Sequence, residues 1–147
     1  MEDKQHPDTA EIRSRLNRHG LKATPQRIMV YEAMCRLGHP SADNVYQHLG
    51  KERGRMTLAT VYNVLESLTE SGLIARRPSF SNKMYFDIET DAHLHLLHRD
   101  TGVIADLRDP VLQQAIEASI RERLPDGLLL DGVEIQILCH RNNERRG

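Results

Sequence analysis

Four stretches between Thr9 and Gly72 share one pattern: a small polar residue, then apolar residues at helical spacing, then a glycine. After Gly72 the apolar period falls to two. This change constrains the fold most, because caps and glycines set where each helix starts and stops. From Thr9 to Gly20, Ile12 and Leu16 stand one turn apart. Thr24 caps the second helix, and Pro25 takes its first position, where a missing N–H is tolerated. That helix turns Ile28, Tyr31, Met34 and Cys35 to one side and ends near Gly38. Ser41 caps a third, with Val45 and Leu49 inward and Gly50 at its end. Thr57 caps the fourth, whose stripe is Leu58, Val61, Leu65 and Leu68, and Met56 is placed to staple onto Val61.

Leu73–Arg77 and Lys83–Ile88 flank the turn-rich Pro78, Ser79, Ser81 and Asn82, so they read as a β-hairpin. Helices followed by a basic hairpin predict a winged helix-turn-helix over residues 1–88, with a hinge at about 88–92. Residues 92–147 predict a small α/β dimerisation unit. It begins with two strands separated by Asp100–Gly102. A helix opened by Asp109 and Pro110 then runs to about Leu124, and a strand ends at Cys139, with Val133, Ile135 and Ile137 alternating against Glu134 and Gln136. The fold class is therefore α+β. At roughly 55 residues the second unit buries little surface alone, so a second copy of the chain is expected to cover it.

Charge divides the same way. Residues 1–83 hold 13 Lys and Arg against 9 Asp and Glu, whereas 84–147 hold 7 against 12. A basic half joined to an acidic half suits a polyanion at one end and a cation at the other. No apolar run approaches the roughly 20 residues of a membrane helix, and the polar start lacks a secretory core, so a cytoplasmic protein is expected. Cys35 and Cys139 are the only cysteines in the 147 residues, which excludes a disulfide framework and a zinc site of two CxxC pairs. Cys35 faces with Ile28 and Tyr31, a position for packing rather than thiol sensing.

The acidic half concentrates metal-binding chemistry. A strand through His93–Arg99 puts His93 and His95 on one face, with Leu94 and Leu96 opposite. Carboxylates Asp87 and Asp106 come from the neighbouring segments, and His39 stands far upstream. Singly, His39 fills a turn before Pro40, Asp87 is a solvated strand end and Asp106 pairs with an arginine. Jointly they read as one nitrogen and oxygen site, suited to Fe(II), Mn(II) or Zn(II) rather than to thiolate-loving metals. His6, His19 and His48 read as surface residues.

On the fourth helix Ala59, Thr60, Asn63, Ser67 and Glu70 lie opposite the apolar stripe, small or polar enough to approach base edges. Asn63 offers a donor and an acceptor side by side for adenine, and Ala59 and Thr60 suit a thymine methyl. Tyr62 sits at the margin, its hydroxyl within reach of a phosphate. Arg53 and Arg55 before this helix, and Arg76 and Arg77 at the start of the wing, would add salt-sensitive phosphate affinity. A solvated amphipathic helix with scattered arginines has the same pattern.

GLKATPQR at 20–27, GHPSADNVY at 38–46, TLATVYNVLESLTESGLI at 57–74 and YFD at 85–87 together resemble the ferric uptake regulator (Fur) superfamily over nearly the whole chain. The resemblance implies a homodimeric, metal-dependent repressor acting on a palindromic DNA operator. Within the superfamily the chain is most similar to the peroxide-sensing branch (PerR). Its regulatory ligands match His39, Asp87, His93, His95 and Asp106, and the ion would be Fe(II) or Mn(II), with Zn(II) an alternative occupant in the isolated protein. Iron-uptake repressors usually carry glutamate at Asp106 and arginine at Asn63. The branch implies Fe(II)-dependent oxidation of the ligands His39 and His93 by peroxide.

Two departures stand out. Where relatives place two CxxC pairs around a structural zinc, this chain has His98 with Thr101 and Cys139 with Asn142, so that zinc is not expected. A degraded site of His98, Cys139 and His140 remains the alternative. An auxiliary site is lost too, with Leu94 at its acidic position. Iron-responsive and haem-responsive regulators are the rival functions. HLHLLH superficially resembles the HxHxDH run of metallo-β-lactamase-like hydrolases, but Leu97 replaces the catalytic aspartate, and an enzyme is not expected.

Overall fold

The computed structural model describes residues 6–50, 54, 56–78 and 83–142. Two compact units result, one ending at Thr90 and the other beginning at Asp91.

In the first unit each helix begins where a side chain takes the place of a missing backbone acceptor. α1 (Thr9–Arg18) is opened by Asp8, whose carboxylate accepts the Glu11 N–H at 2.8 Å. Thr24 caps α2 (Pro25–Leu37) through the Arg27 N–H, and Thr57 caps α4 (Leu58–Glu70) through the Thr60 N–H at 3.1 Å. Ser41 and Asn44 cap α3 (Ala42–Leu49) reciprocally, each side chain accepting the other's backbone N–H. Each such cap contributes about 1 kcal/mol.

Their stripes meet in one core. Leu16, Val30, Met34, Val45, Val61, Leu65 and Leu68 are wholly excluded from solvent. Val30 and Ala33 lie outside the single apolar face read on α2. They are buried because α1, α3 and α4 all pack against that helix.

β1 (Ala75–Pro78) and β2 (Met84–Asp87) pair antiparallel, with Ala75 opposite Asp87 and Arg77 opposite Tyr85. Phe86 enters the core, and its N–H donates to the Pro40 carbonyl at 2.9 Å. That bond lays the α2–α3 loop along β2. Gly38 makes the loop possible: at φ +81 it closes α2 in a conformation that β-carbon-bearing residues resist, and the chain turns back toward the hairpin at His39.

In the second unit β3 (Leu94–His98) is the middle strand. β4 (Ile104–Leu107) runs antiparallel on one side and β5 (Ile135–Cys139) parallel on the other. The antiparallel pair is a hairpin; the parallel one needs a crossover, which α5 (Pro110–Arg121) provides. Asp109 caps α5 through the Leu112 N–H at 2.9 Å, and the Gln113 amide donates to the Val133 carbonyl at the approach to β5. A side chain at Gly132 would meet the Ala92 Cβ at 2.8 Å, so the approach to β5 runs hard against the start of β3. No residue of α5 is buried, and Leu94 is the one buried apolar side chain among the unit's described residues. No described helix is long and apolar enough to cross a membrane.

Candidate metal centre

The first unit supplies a pair of candidate donors. Burying Phe86 inward at the end of β2 sets the neighbouring Asp87 on the other face, and the Pro40–Phe86 bond brings His39 beside it. His39 Nε2 lies 3.4 Å from Asp87 Oδ2. Asp87 is 1% exposed, and its other oxygen accepts the Glu89 N–H at 2.9 Å.

The second unit supplies a triad. The β3–β4 register places His95 directly opposite Asp106, and His93 precedes β3 by one residue on the same side. The two imidazole centroids are 4.2 Å apart. Asp106 Oδ1 lies 2.9 Å from His93 Nε2 and 3.6 Å from His95 Nε2, and both histidines are buried. His93 Nδ1 faces the Asp91 carbonyl at 2.8 Å. Assigning the ring proton to that bond leaves Nε2 with its lone pair toward a carboxylate oxygen. A proton or a cation must reconcile the two, and a backbone carbonyl on the far nitrogen is the usual orientation of a metal-ligating histidine.

The donor chemistry fits a divalent ion. Each of the five residues offers one imidazole nitrogen or carboxylate oxygen and none offers sulfur, which suits Fe(II), Mn(II) or Zn(II).

Arginines occupy both carboxylates. Arg108 Nη2 approaches Asp106 Oδ2 at 3.4 Å from a half-exposed position. Arg77 corrects the sequence reading: expected on the wing surface as a phosphate contact, it is 6% exposed, with Nε 3.6 Å from Asp87 Oδ2 and Nη2 donating to the Glu89 carbonyl. The cause is register, since Arg77 lies diagonally across the β1–β2 ladder from Asp87 on the same face. Its strand parity carried the signal once that register was known.

The other candidate contacts divide. Ala59, Tyr62 and Asn63 are exposed on α4, Tyr62 at 43%, and Thr60 is half-buried beside its cap. Ser67, also on that face, accepts from Arg27 and so joins α2 to α4. Arg76 is exposed and ion-paired to Glu66 of α4. Arg53 and Arg55 lie outside the described residues, as do Ser79, Ser81 and Asn82 of the wing turn.

The segments matching the CxxC pairs do lie side by side, with His98 paired to Cys139 across β3 and β5. Hydrogen bonds join them. Arg99 N–H donates to the Cys139 carbonyl, the Cys139 thiol to the Leu97 carbonyl at 3.4 Å, and Arg141 N–H to Asp100 Oδ2. That last bond holds the Asp100 carboxyl below the ordinary carboxylate range. Among the described residues His98, Cys139 and His140 form no metal-sized donor cluster.

The model of the family described as "Ferric uptake regulator family" matches residues 18–124. The peroxide operon regulator of Bacillus subtilis is 34% identical over 100 residues, covering 67% of this chain and 69% of its own length. The ferric uptake regulation protein of Cupriavidus metallidurans is 36% identical over 107 residues, covering 71% and 75%. Among solved structures, the ferric uptake regulator of Pseudomonas aeruginosa with manganese superposes with a TM-score of 0.70 at 27% identity, covering 88% of this chain and 97% of that one. Helices and hairpin, small α/β unit and histidine–aspartate donors thus occur in a chain that belongs to the ferric uptake regulator family, whose members are metal-responsive transcription regulators and not enzymes.

Proposed function

We propose that this chain is a homodimeric repressor whose regulatory ion is shared by His39 and Asp87 of one unit and by His93, His95 and Asp106 of the other. The observation that carries this is the complementarity of the two donor sets. A pair from the first unit and a triad from the second would together offer five nitrogen and oxygen donors, which suits Fe(II) or Mn(II). An ion held by both would tie the units into one arrangement, so occupancy selects the form of the dimer competent for DNA. Ala59, Thr60, Tyr62 and Asn63 would read a major groove, with Arg76, Arg53 and Arg55 on phosphates. A dimer presents two such helices to a palindromic operator about one helical turn apart, ~34–36 Å.

The signal we assign is peroxide. Support comes from Asp106 where iron-uptake repressors usually have glutamate, and from Asn63 where they have arginine. Both peroxide and iron regulators stand among the relatives, so the test must separate them. When bound, Fe(II) would lend an electron to cleave the O–O bond of peroxide beside the imidazoles and recover it as the ring is oxidised, so that the net reaction is a two-electron oxidation of the ring by peroxide. One peroxide oxygen ends on a ring carbon of His39 or His93, and the other leaves as water. The oxidised ring is a poorer donor, and the inter-unit tie is released. The test loads the protein with Fe(II) anaerobically, adds stoichiometric peroxide, and follows duplex binding together with peptide mass. Lost binding with 16 Da added at His39 or His93 is expected, a mass increment fixed by one oxygen atom (~16 Da). Release with unmodified histidines would refute histidine oxidation. Intact binding after peroxide, with release on chelation, would show an iron sensor. The Mn(II)-loaded protein should bind DNA and withstand peroxide.

A further inference from the structure

Arg77 is, among the described residues, a buried charged side chain that the proposed function leaves without a task. It is buried on β1, its Nε 3.6 Å from Asp87 Oδ2, and the same oxygen is 3.4 Å from His39 Nε2. Its Nη2 donates to the Glu89 carbonyl at 2.8 Å, and the Glu89 N–H in turn donates to Asp87 Oδ1. The carboxylate thus accepts a backbone N–H at one oxygen and is approached by a guanidinium and an imidazole at the other.

A guanidinium keeps its charge under all ordinary conditions. Beside a carboxylate that is almost wholly buried it does two opposed things. Without an ion its charge offsets that of the buried Asp87. Were Asp87 to take an ion, the guanidinium would face a divalent cation of like sign beside the same carboxylate, in surroundings that screen poorly. Accepting the ion therefore means displacing or repelling a resident cation.

We propose that Arg77 is a built-in counter-ion to Asp87, a positioning residue that stabilises the metal-free protein and weakens metal affinity, thereby setting the concentration at which the sensor responds. This rests on the reading of Asp87 as a ligand. Arg108 provides an internal comparison. It approaches the second carboxylate, Asp106, at a similar 3.4 Å, but its side chain is 49% exposed, so water screens it. The two arginines have the same formal charge and similar spacing to a carboxylate, and burial separates them.

The test titrates the full-length protein with Mn(II), following the electron paramagnetic resonance of the free ion, and melts each metal-free variant. Arg77→Met should bind Mn(II) about tenfold more tightly or better while melting at a lower temperature without metal. Arg77→Lys, which keeps the charge, should stay within about threefold of the native affinity, and Arg108→Met within about twofold. A merely structural arginine predicts the opposite sign, because a loosened Asp87 binds metal less well. Weaker or unchanged Mn(II) affinity in Arg77→Met would overturn the proposal. Should that variant fail to fold, Arg77→Gln, which retains an amide donor for the Glu89 carbonyl, must show the same tightening. Asp87→Asn separates the two levels. If it binds Mn(II) as the native chain does, Asp87 is no ligand and both readings fall. If it loses Mn(II) while Arg77→Met gains nothing, the counter-ion proposal alone falls.

Discussion

Cys35 lies on the inner side of α2, where Arg15 donates to the Tyr31 hydroxyl at 3.1 Å and the thiol adjoins Tyr31. Burial pushes the thiol above its ordinary value, and Arg15 only partly opposes that. Thiolate is the reactive form, so at neutral pH Cys35 should resist both peroxide and alkylation. Native protein should take up iodoacetamide at Cys35 at least about tenfold more slowly than the urea-unfolded chain, as peptide mass will show. The sign of the pH effect follows. A thiol held protonated favours the fold below its unfolded value of about 8.5, and that contribution fades as pH rises above it. The gap in melting temperature between the native chain and Cys35→Ala should therefore narrow from pH 7 to 10; a widening gap would contradict the burial argument. At this scale His93 and His95 were legible because strand alternation needs no partner. Arg77 was not, because its face depends on a hairpin register that Pro78–Asn82 leaves open.

At the scale of elements, caps made the helix starts readable: Thr24, Ser41 and Thr57 act as expected, with Asp8 adding the one for α1. Strand ends were less legible. β1 continues through Pro78, which local chemistry assigns to the turn, because a proline at a strand end gives up only one ladder bond. The α4–β1 pairing was hidden as well, since the Arg76–Glu66 ion pair joins residues ten apart across a glycine. That pair bears on DNA affinity. Exposed on both sides, it is worth about 0–1 kcal/mol, and Arg76 must leave it to reach a phosphate. Glu66→Gln should tighten binding a few-fold on every duplex and steepen its salt dependence. Asn63→Ala should instead cost about 1–3 kcal/mol on a duplex enriched by selection and little on a scrambled one. Equal losses on both duplexes would remove Asn63 from base reading.

For the whole molecule the decisive fact is what the second unit leaves uncovered. α5 is amphipathic in sequence yet buries no residue: Val111 at 79% exposure stands with Leu112 and Ile120 on the helix, and Leu128 and Leu129, the latter at 92%, are exposed in the segment that follows it. Sequence reading placed the helix from its Asp109 and Pro110 start but not what it faces, because no described residue of the chain covers it. A second copy is the occupant the family predicts, and burying such side chains contributes about 25 cal/mol per Å². Val111→Asp with Leu129→Asp should therefore give a monomer at micromolar concentration, measured by sedimentation equilibrium. Since both side chains already face water in the single chain, its folding should shift by only about 0.5 kcal/mol per site. If the five proposed ligands of one chain hold the ion, Mn(II) should still bind, within a few-fold of the native affinity. Affinity for a palindromic duplex should fall by about a hundredfold or more, because the second recognition helix no longer arrives tethered to the first. A variant that remains dimeric would place the interface elsewhere. One that turns monomeric and loses Mn(II) would show that the metal site needs the partner chain.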